Sequence, residues 1–195
     1  MIAFLKDFSS LRRLSYRPLV VMLVLLFAGV ARAEGPSTSQ SADGFFDLFM
    51  GDLGEELQTA REEGKKGILL FFEIDSCPFC IRMKRRLLSR ADVQDIFGKA
   101  FLRFSVDVEG DVEITDFRGK TMREKDFALN QRVRGTPTMI FYNLKGKEVT
   151  RYVGAIDRLD NLLLLEEYVT GEVYRKMPFI RYKRLHRNTQ NSHVP

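Results

Sequence analysis

The chain has 195 residues, 45% of them hydrophobic, and a formal net charge of +5. This length and composition are sufficient for one domain with a packed core. The charge is uneven, because residues 34–174 carry 20 basic and 25 acidic residues whereas residues 175–195 carry six basic and no acidic ones. The main body is therefore mildly acidic, which argues against a nucleic-acid-binding protein.

The first 33 residues have the pattern of an export signal. A basic start is followed by a charge-free apolar run, Leu19 to Ala31, and by the small-x-small sequence Ala31-Arg32-Ala33. This pattern predicts a cleavable signal peptide over 1–33 and a periplasmic location. The apolar run is shorter than the roughly 20 residues of a membrane span, but an uncleaved membrane anchor remains an alternative. Residues 34–44 are predicted to be a flexible linker.

The next part of the chain predicts helices and strands in alternation. Apolar residues at near-helical spacing predict a helix within 45–63. The uninterrupted apolar run 68–72 predicts a strand that is buried on both faces. The remaining predicted elements are a helix from 80 to 88, a short helix over 93–99, a strand over 101–106, a hairpin of 112–116 with a turn at 118–120, a helix within 121–133, strands over 138–142 and 148–153, and a helix over 159–169.

These elements predict an α/β fold. The first two strands are separated by helices, which favours parallel pairing, and the last two are joined by a tight turn and must be antiparallel. We expect a small central mixed sheet flanked by helices. Residues 175–195 are predicted to form a basic, mobile tail, for which contact with an anionic surface is the alternative.

The only two cysteines of the chain, Cys77 and Cys80, stand between the first strand and the helix after it. Two thiols at this spacing can form and break a disulfide reversibly. Cys77 is expected at a helix N-terminus, where free amide groups and the helix dipole favour a thiolate. We therefore predict Cys77 as the exposed, attacking sulfur and Cys80 as the more buried, resolving one. Such exchange needs no cofactor.

Three other interpretations of the cysteine pair remain open. Zinc needs about four ligands, and the chain offers only His186 and His193 in addition to the two thiols. A copper dithiolate is a second interpretation. A purely structural disulfide is the third, although so short a loop gives little stabilisation through chain entropy.

The order of these elements and motifs resembles the thioredoxin fold. The sequence Cys-Pro-Phe-Cys lies at a strand-to-helix junction, the loop 133–138 resembles the loop of that family that carries a cis-proline, and Gly146 and Gly154 match its closing hairpin. The resemblance covers roughly residues 55–170, and we assign 45–174 to a thioredoxin-like domain with a small β-hairpin insertion.

The resemblance implies a substrate-binding site beside the disulfide. A cis bond between Thr136 and Pro137 would present the backbone of Thr136 to an extended substrate. Pro78 and Phe79, between the two cysteines, are then expected to contact the substrate as well. No metal is expected at this site.

Two departures from thioredoxin concern the groups around the cysteines. Phe71 occupies the position of the buried acid that thioredoxin carries six residues before its first cysteine, and the chain contains no tryptophan. Glu73 is the nearest candidate for proton transfer.

Within the family, the insertion at 109–125 and the export signal resemble periplasmic thioredoxin-like proteins associated with sulfur oxidation (the SoxW-like group). This resemblance implies a monomeric periplasmic thiol–disulfide oxidoreductase that reduces disulfides in other exported proteins and receives electrons from a membrane thiol donor. A thiol oxidase or isomerase of the same fold, or a copper-handling module, is the alternative.

Overall fold

The computed structural model describes residues 42–191, so the predicted signal peptide and residues 34–41 of the predicted linker lie outside the described residues. Six strands and six α-helices follow a short 3₁₀ turn, Ala42–Phe45. The strands are β1 (Gly67–Glu73), β2 (Phe101–Asp107), β3 (Glu113–Thr115), β4 (Thr121–Arg123), β5 (Thr138–Asn143) and β6 (Glu148–Val153). The helices are α1 (Leu53–Glu62), α2 (Pro78–Met83), α3 (Ala91–Ala100), α4 (Glu124–Asn130), α5 (Leu159–Thr170) and α6 (Phe179–Asn191).

The central sheet has four strands in the order β2-β1-β5-β6. Strands β1 and β2 are parallel, whereas β1–β5 and β5–β6 are antiparallel. The predicted mixed sheet flanked by helices is therefore confirmed. The predicted hairpin is also present, because β3 and β4 pair antiparallel outside the main sheet.

Strand β1 separates two hydrophobic cores, because all seven of its residues are buried. Leu69 and Phe71 face one core, which also contains both cysteines. Leu70 and Phe72 face the other core, which also contains the side chains of α1 and α4. At the start of the strand, Gly67 lies so close to β5 that a Cβ atom would collide with the backbone of β5.

An extended segment before α1 covers the edge strand β2. The Asp47 carboxylate accepts hydrogen bonds from the backbone and guanidinium of Arg103, and the Asp47 amide donates to the Arg103 carbonyl over 2.8 Å. Arg103 is buried, so the Asp47 carboxylate also compensates a guanidinium charge that is shielded from solvent. This segment shields one edge of the sheet from pairing with other chains.

The prediction of a mobile tail after Arg175 is wrong for most of that segment. A 3₁₀ turn, Val173–Arg175, leads into α6, whose aromatic side chains pack on α5. The ring centroids of Phe179 and Tyr182 lie 5.3 and 5.5 Å from that of Tyr168. Burial and a hydrogen bond to Glu167 raise the pKa of Tyr182 to about 12. Aromatic packing against α5 therefore orders a basic segment that composition alone marks as solvated.

Within residues 42–191, none of the helices is both long and apolar enough to cross a membrane.

Candidate functional site

The cysteine pair lies where β1 ends and α2 begins. Cys77 and Cys80 form a disulfide, with their Cα atoms 5.3 Å apart. Cys77 is the N-cap residue of α2, and its sulfur accepts a hydrogen bond from the Cys80 amide over 3.1 Å. Pro78 follows at the first helical position, where a missing N–H has no cost. The sequence therefore places a sulfur where a helix N-terminus can stabilise negative charge on it.

Both sulfur-bearing residues are largely shielded from solvent. Cys77 keeps 4% of its accessible surface and Cys80 none. The predicted order of exposure is correct, but the expectation that Cys77 is exposed is wrong. Burial arises because the pair packs into the core that contains Phe71. Pro78 and Phe79, which lie between the two cysteines in the chain, are exposed.

The predicted cis-proline loop lies beside the disulfide. The Thr136–Pro137 peptide bond is cis, as predicted, and the Thr136 carbonyl oxygen lies 3.7 Å from the Cys77 sulfur. Thr138 fixes the loop by donating its hydroxyl to the Gly135 carbonyl over 2.7 Å. The Pro137 carbonyl accepts from the Gly154 amide over 2.8 Å. The amide of half-buried Thr136 has no hydrogen-bond acceptor among residues 42–191.

Glu73, the predicted candidate for proton transfer, is the last residue of β1 and is buried. Its carboxylate accepts hydrogen bonds from Lys84 over 2.9 Å and from the Ser105 hydroxyl over 2.6 Å. Both partners hold the carboxylate in one orientation. A role of Glu73 in proton transfer stays a prediction.

Lys84 is a residue of the site that the sequence pattern does not indicate. The apolar spacing of residues 80–88 predicts Ile81 on the inner face of the helix and Lys84 on the outer one. In the structure, Lys84 is half-buried against Glu73 and Ile81 is exposed. A π-helical turn, Lys84–Leu88, follows α2 directly. The sequence does contain one signal for this position. Lys84 follows Cys80 by four residues, and residues at this spacing share one helix face, so a buried Cys80 indicates that Lys84 faces the interior.

Lys84 connects the end of β1 with the helix that carries Cys80. Its backbone amide bonds to the Cys80 carbonyl, and its side chain reaches Glu73, the last residue of the strand before the loop. We expect Lys84→Ala to lower the free energy of unfolding by about 1–3 kcal/mol, because it leaves a buried carboxylate without its cation. Urea unfolding measures the loss. Arg85→Ala, the matched change at the exposed neighbouring position, should cost less than about 0.5 kcal/mol, and equal losses for the two variants would contradict this role.

Among residues 42–191, no group of three or more His, Cys, Asp or Glu side chains could hold a metal ion. Pro78 and Phe79 lie between the two cysteines in the chain, and the Thr136 carbonyl, directly before Pro137, lies 3.7 Å from the Cys77 sulfur. A role of these four residues in substrate binding stays a prediction. Fold and site together define a thioredoxin-like protein with a redox-capable cysteine pair.

Comparison with known proteins gives the family. The family model of the thioredoxin-like domain matches residues 53–169, and the chain belongs to this family. The match spans the cysteine pair, the cis-proline loop and the closing hairpin. It does not decide the finer SoxW-like assignment, which stays a prediction. No curated protein matches the chain.

Several solved structures are similar to this chain, and the first of those described next shows the same fold. A thioredoxin-fold protein from Helicobacter pylori superposes with a TM-score of 0.59 at 17% identity, covering 77% of this chain and 97% of the other. A thioredoxin from Thermus thermophilus has 27% identity and a TM-score of 0.48, with 60% and 82% of the two chains covered. The DsbH oxidoreductase has 21% identity and a TM-score of 0.47, with coverage of 63% and 84%. The family and the Cys-x-x-Cys pair support thiol–disulfide oxidoreductase activity.

Proposed function

We propose that this chain is a periplasmic reductase of disulfides in other exported proteins. The observation that carries the proposal is the placement of the Cys77 sulfur 3.7 Å from the Thr136 carbonyl, directly before cis-Pro137. The Thr136 amide has no acceptor among the described residues, so an extended substrate segment could pair with it. Backbone pairing would hold the substrate cysteine beside the attacking sulfur.

The reaction proceeds in two exchanges of sulfur partners. The Cys77 thiolate attacks one sulfur of the substrate disulfide, which forms a mixed disulfide and releases the other substrate sulfur as a thiolate. The Cys80 thiolate then attacks the Cys77 sulfur, releases the second substrate thiolate and closes the Cys77–Cys80 disulfide. Two electrons pass to the substrate, whose thiolates take up protons from the medium. The disulfide form of this site is the product state of that reaction.

The reductive direction is supported by the side chains around the pair. Phe79 offers a Cys77 thiolate no hydrogen bond, and Phe71, which is fully buried, offers the interior no polar group. A thiolate without a polar side chain in hydrogen-bond contact is less stabilised than one with such partners, so the reduced form is less favoured and is a better electron donor. Return to the dithiol requires a two-electron thiol donor. The export pattern of 1–33 leads us to propose a membrane thiol protein for that role.

Insulin reduction tests the proposed activity. With dithiothreitol as electron source, catalytic amounts of the protein should accelerate precipitation of the insulin B chain, and Cys77→Ser should abolish the acceleration. Titration of the reduced protein with Cu(I) is the companion measurement. No acceleration by the wild type, together with tight stoichiometric Cu(I) binding, would replace the reductase proposal with a copper-handling one.

A further inference from the structure

The surface next to the disulfide is basic, although the body of the protein is acidic. Residues 34–174 carry five more acidic than basic residues. The segment from Pro78 to Leu88 reverses this balance, because it contains four basic residues and no acidic one. Lys84 is held by Glu73, which leaves three arginines on the outside of the helix: Arg82, Arg85 and Arg86.

The three arginines line one depression. Their spacing of three and four residues places them on the same helix face, and with Pro78 and Ile81 they surround a hollow of about 450 Å³. Pro78 is adjacent to Cys77 in the chain, so the hollow begins next to the attacking sulfur. Its lining combines two apolar residues, Pro78 and Ile81, with the three arginines.

Two of the guanidinium groups are available to a ligand. Arg82 pairs with Asp157 over 3.0 Å and lies 5.1 Å from the centre of the Phe79 ring. Arg85 and Arg86 form no ion pair with any described residue. Guanidinium groups bind carboxylates through two parallel hydrogen bonds, and a carboxylate that binds here displaces no internal partner.

The remaining charged groups around the disulfide do not cancel this positive potential. Asp75, two residues before Cys77, is exposed, and so is Arg134, two residues before Thr136. The exposed side chains of Phe79 and Val153 add apolar surface. Val153 is next to Gly154, whose amide bonds to the Pro137 carbonyl. The site thus presents apolar surface at the cis-proline and cations along α2.

We infer that the depression formed by Pro78, Ile81, Arg82, Arg85 and Arg86 is a client-binding subsite that selects substrates with acidic residues beside their reactive cysteine. The inference rests on the proposed reductase function and names its substrate class. Acidic segments gain from the guanidinium groups of the lining, and Pro78 and Ile81 offer apolar contacts to the stem of a glutamate side chain. Opposite charges also accelerate encounter at a partly exposed site.

Two disulfide-bonded peptides of identical length test the subsite. One has Asp and Glu around its cystine and the other has Lys at the same positions, and each contains a tryptophan near the disulfide as the reporter. The chain itself has no tryptophan, so the fluorescence change reports only the peptide. The reduced full-length protein should react about tenfold faster with the acidic peptide at low salt, and the ratio should fall as salt is added.

Charge reversal in the depression provides the decisive comparison. The double variant Arg85→Glu with Arg86→Glu should react faster with the basic peptide than with the acidic one. Arg85→Gln with Arg86→Gln should bring the ratio of the two rates close to one. Arg118→Glu with Lys120→Glu removes the same charge from the distant hairpin turn and should keep the preference for the acidic peptide. Circular dichroism confirms that each variant is folded.

The outcomes separate the inference from the function on which it rests. Equal rates with both peptides, or an unchanged preference after reversal of Arg85 and Arg86, would overturn the subsite but leave the reductase proposal intact. Exchange with neither peptide would overturn both.

Discussion

The Cys80→Ser variant is expected to accumulate covalent adducts with client proteins through Cys77. Cys77 caps α2 beside the cis-proline loop, whereas Cys80 is fully buried beneath it. Without the Cys80 thiol, the mixed disulfide cannot be resolved from within the protein, so its lifetime should rise by orders of magnitude. Non-reducing electrophoresis of proteins isolated from the exported fraction, followed by mass spectrometry, measures the adducts and identifies the clients.

Cys77→Ser is the matched control for the trapping experiment. It retains one thiol, the fold and nearly the same volume, but removes the sulfur that lies near Thr136. We expect no reducible adducts with this variant. Adducts formed equally by both variants, or through Cys80 alone, would show that the assignment of the attacking and resolving sulfur is wrong.

Phe71→Ala is expected to cause the largest loss of stability among single core substitutions at the site. Phe71 is fully buried in the centre of β1, in the same core as both cysteines, and its ring centroid lies 5.6 Å from that of Phe46. Truncation of a buried phenylalanine removes transfer free energy and leaves a cavity, at a cost of about 3–5 kcal/mol. For a protein of this size the melting temperature should fall by about 10 °C.

Leu129→Ala is the control for this loss, because Leu129 lies in α4 and is 71% exposed. It should change the free energy of unfolding by less than about 0.5 kcal/mol. Chemical unfolding of the oxidised proteins gives both values under identical conditions. Phe71 occupies the position of thioredoxin's buried acid, and we interpret it as a packing residue. A loss of unfolding free energy below about 1 kcal/mol for Phe71→Ala would contradict this interpretation.

The sequence predicts the site well where local signals determine the geometry. The apolar run of β1, the cysteines after it and Gly135-Thr136-Pro137 are each contained in a short segment, so each can be recognised from a few neighbouring residues. The mixed sheet follows from the order of the elements and the tight turn between the last two strands, whereas the cis bond is implied by the resemblance of the loop 133–138 to that of the thioredoxin family. These segments also form the motif that identifies the family.

Other features depend on packing that the sequence pattern does not show. The side chain of Lys84 turns inward because Glu73 and Ser105 provide a polar site beneath it. Helix α6 forms because its aromatic side chains pack against Tyr168, which lies on α5. Arg103 is buried because Asp47, 56 residues earlier, covers it. In each case, a partner outside the local segment determines where the segment lies, although its charged residues favour solvent.

The reduction potential of the Cys77–Cys80 pair tests the central claim, which is that the protein donates electrons to its clients. Equilibration of the full-length protein with glutathione or dithiothreitol buffers, followed by alkylation of free thiols and mass spectrometry, gives this value. We expect a potential toward about −270 mV, typical of thioredoxin. A potential near about −120 mV, typical of a strong oxidant of exported proteins, would contradict the reductase and support a thiol oxidase.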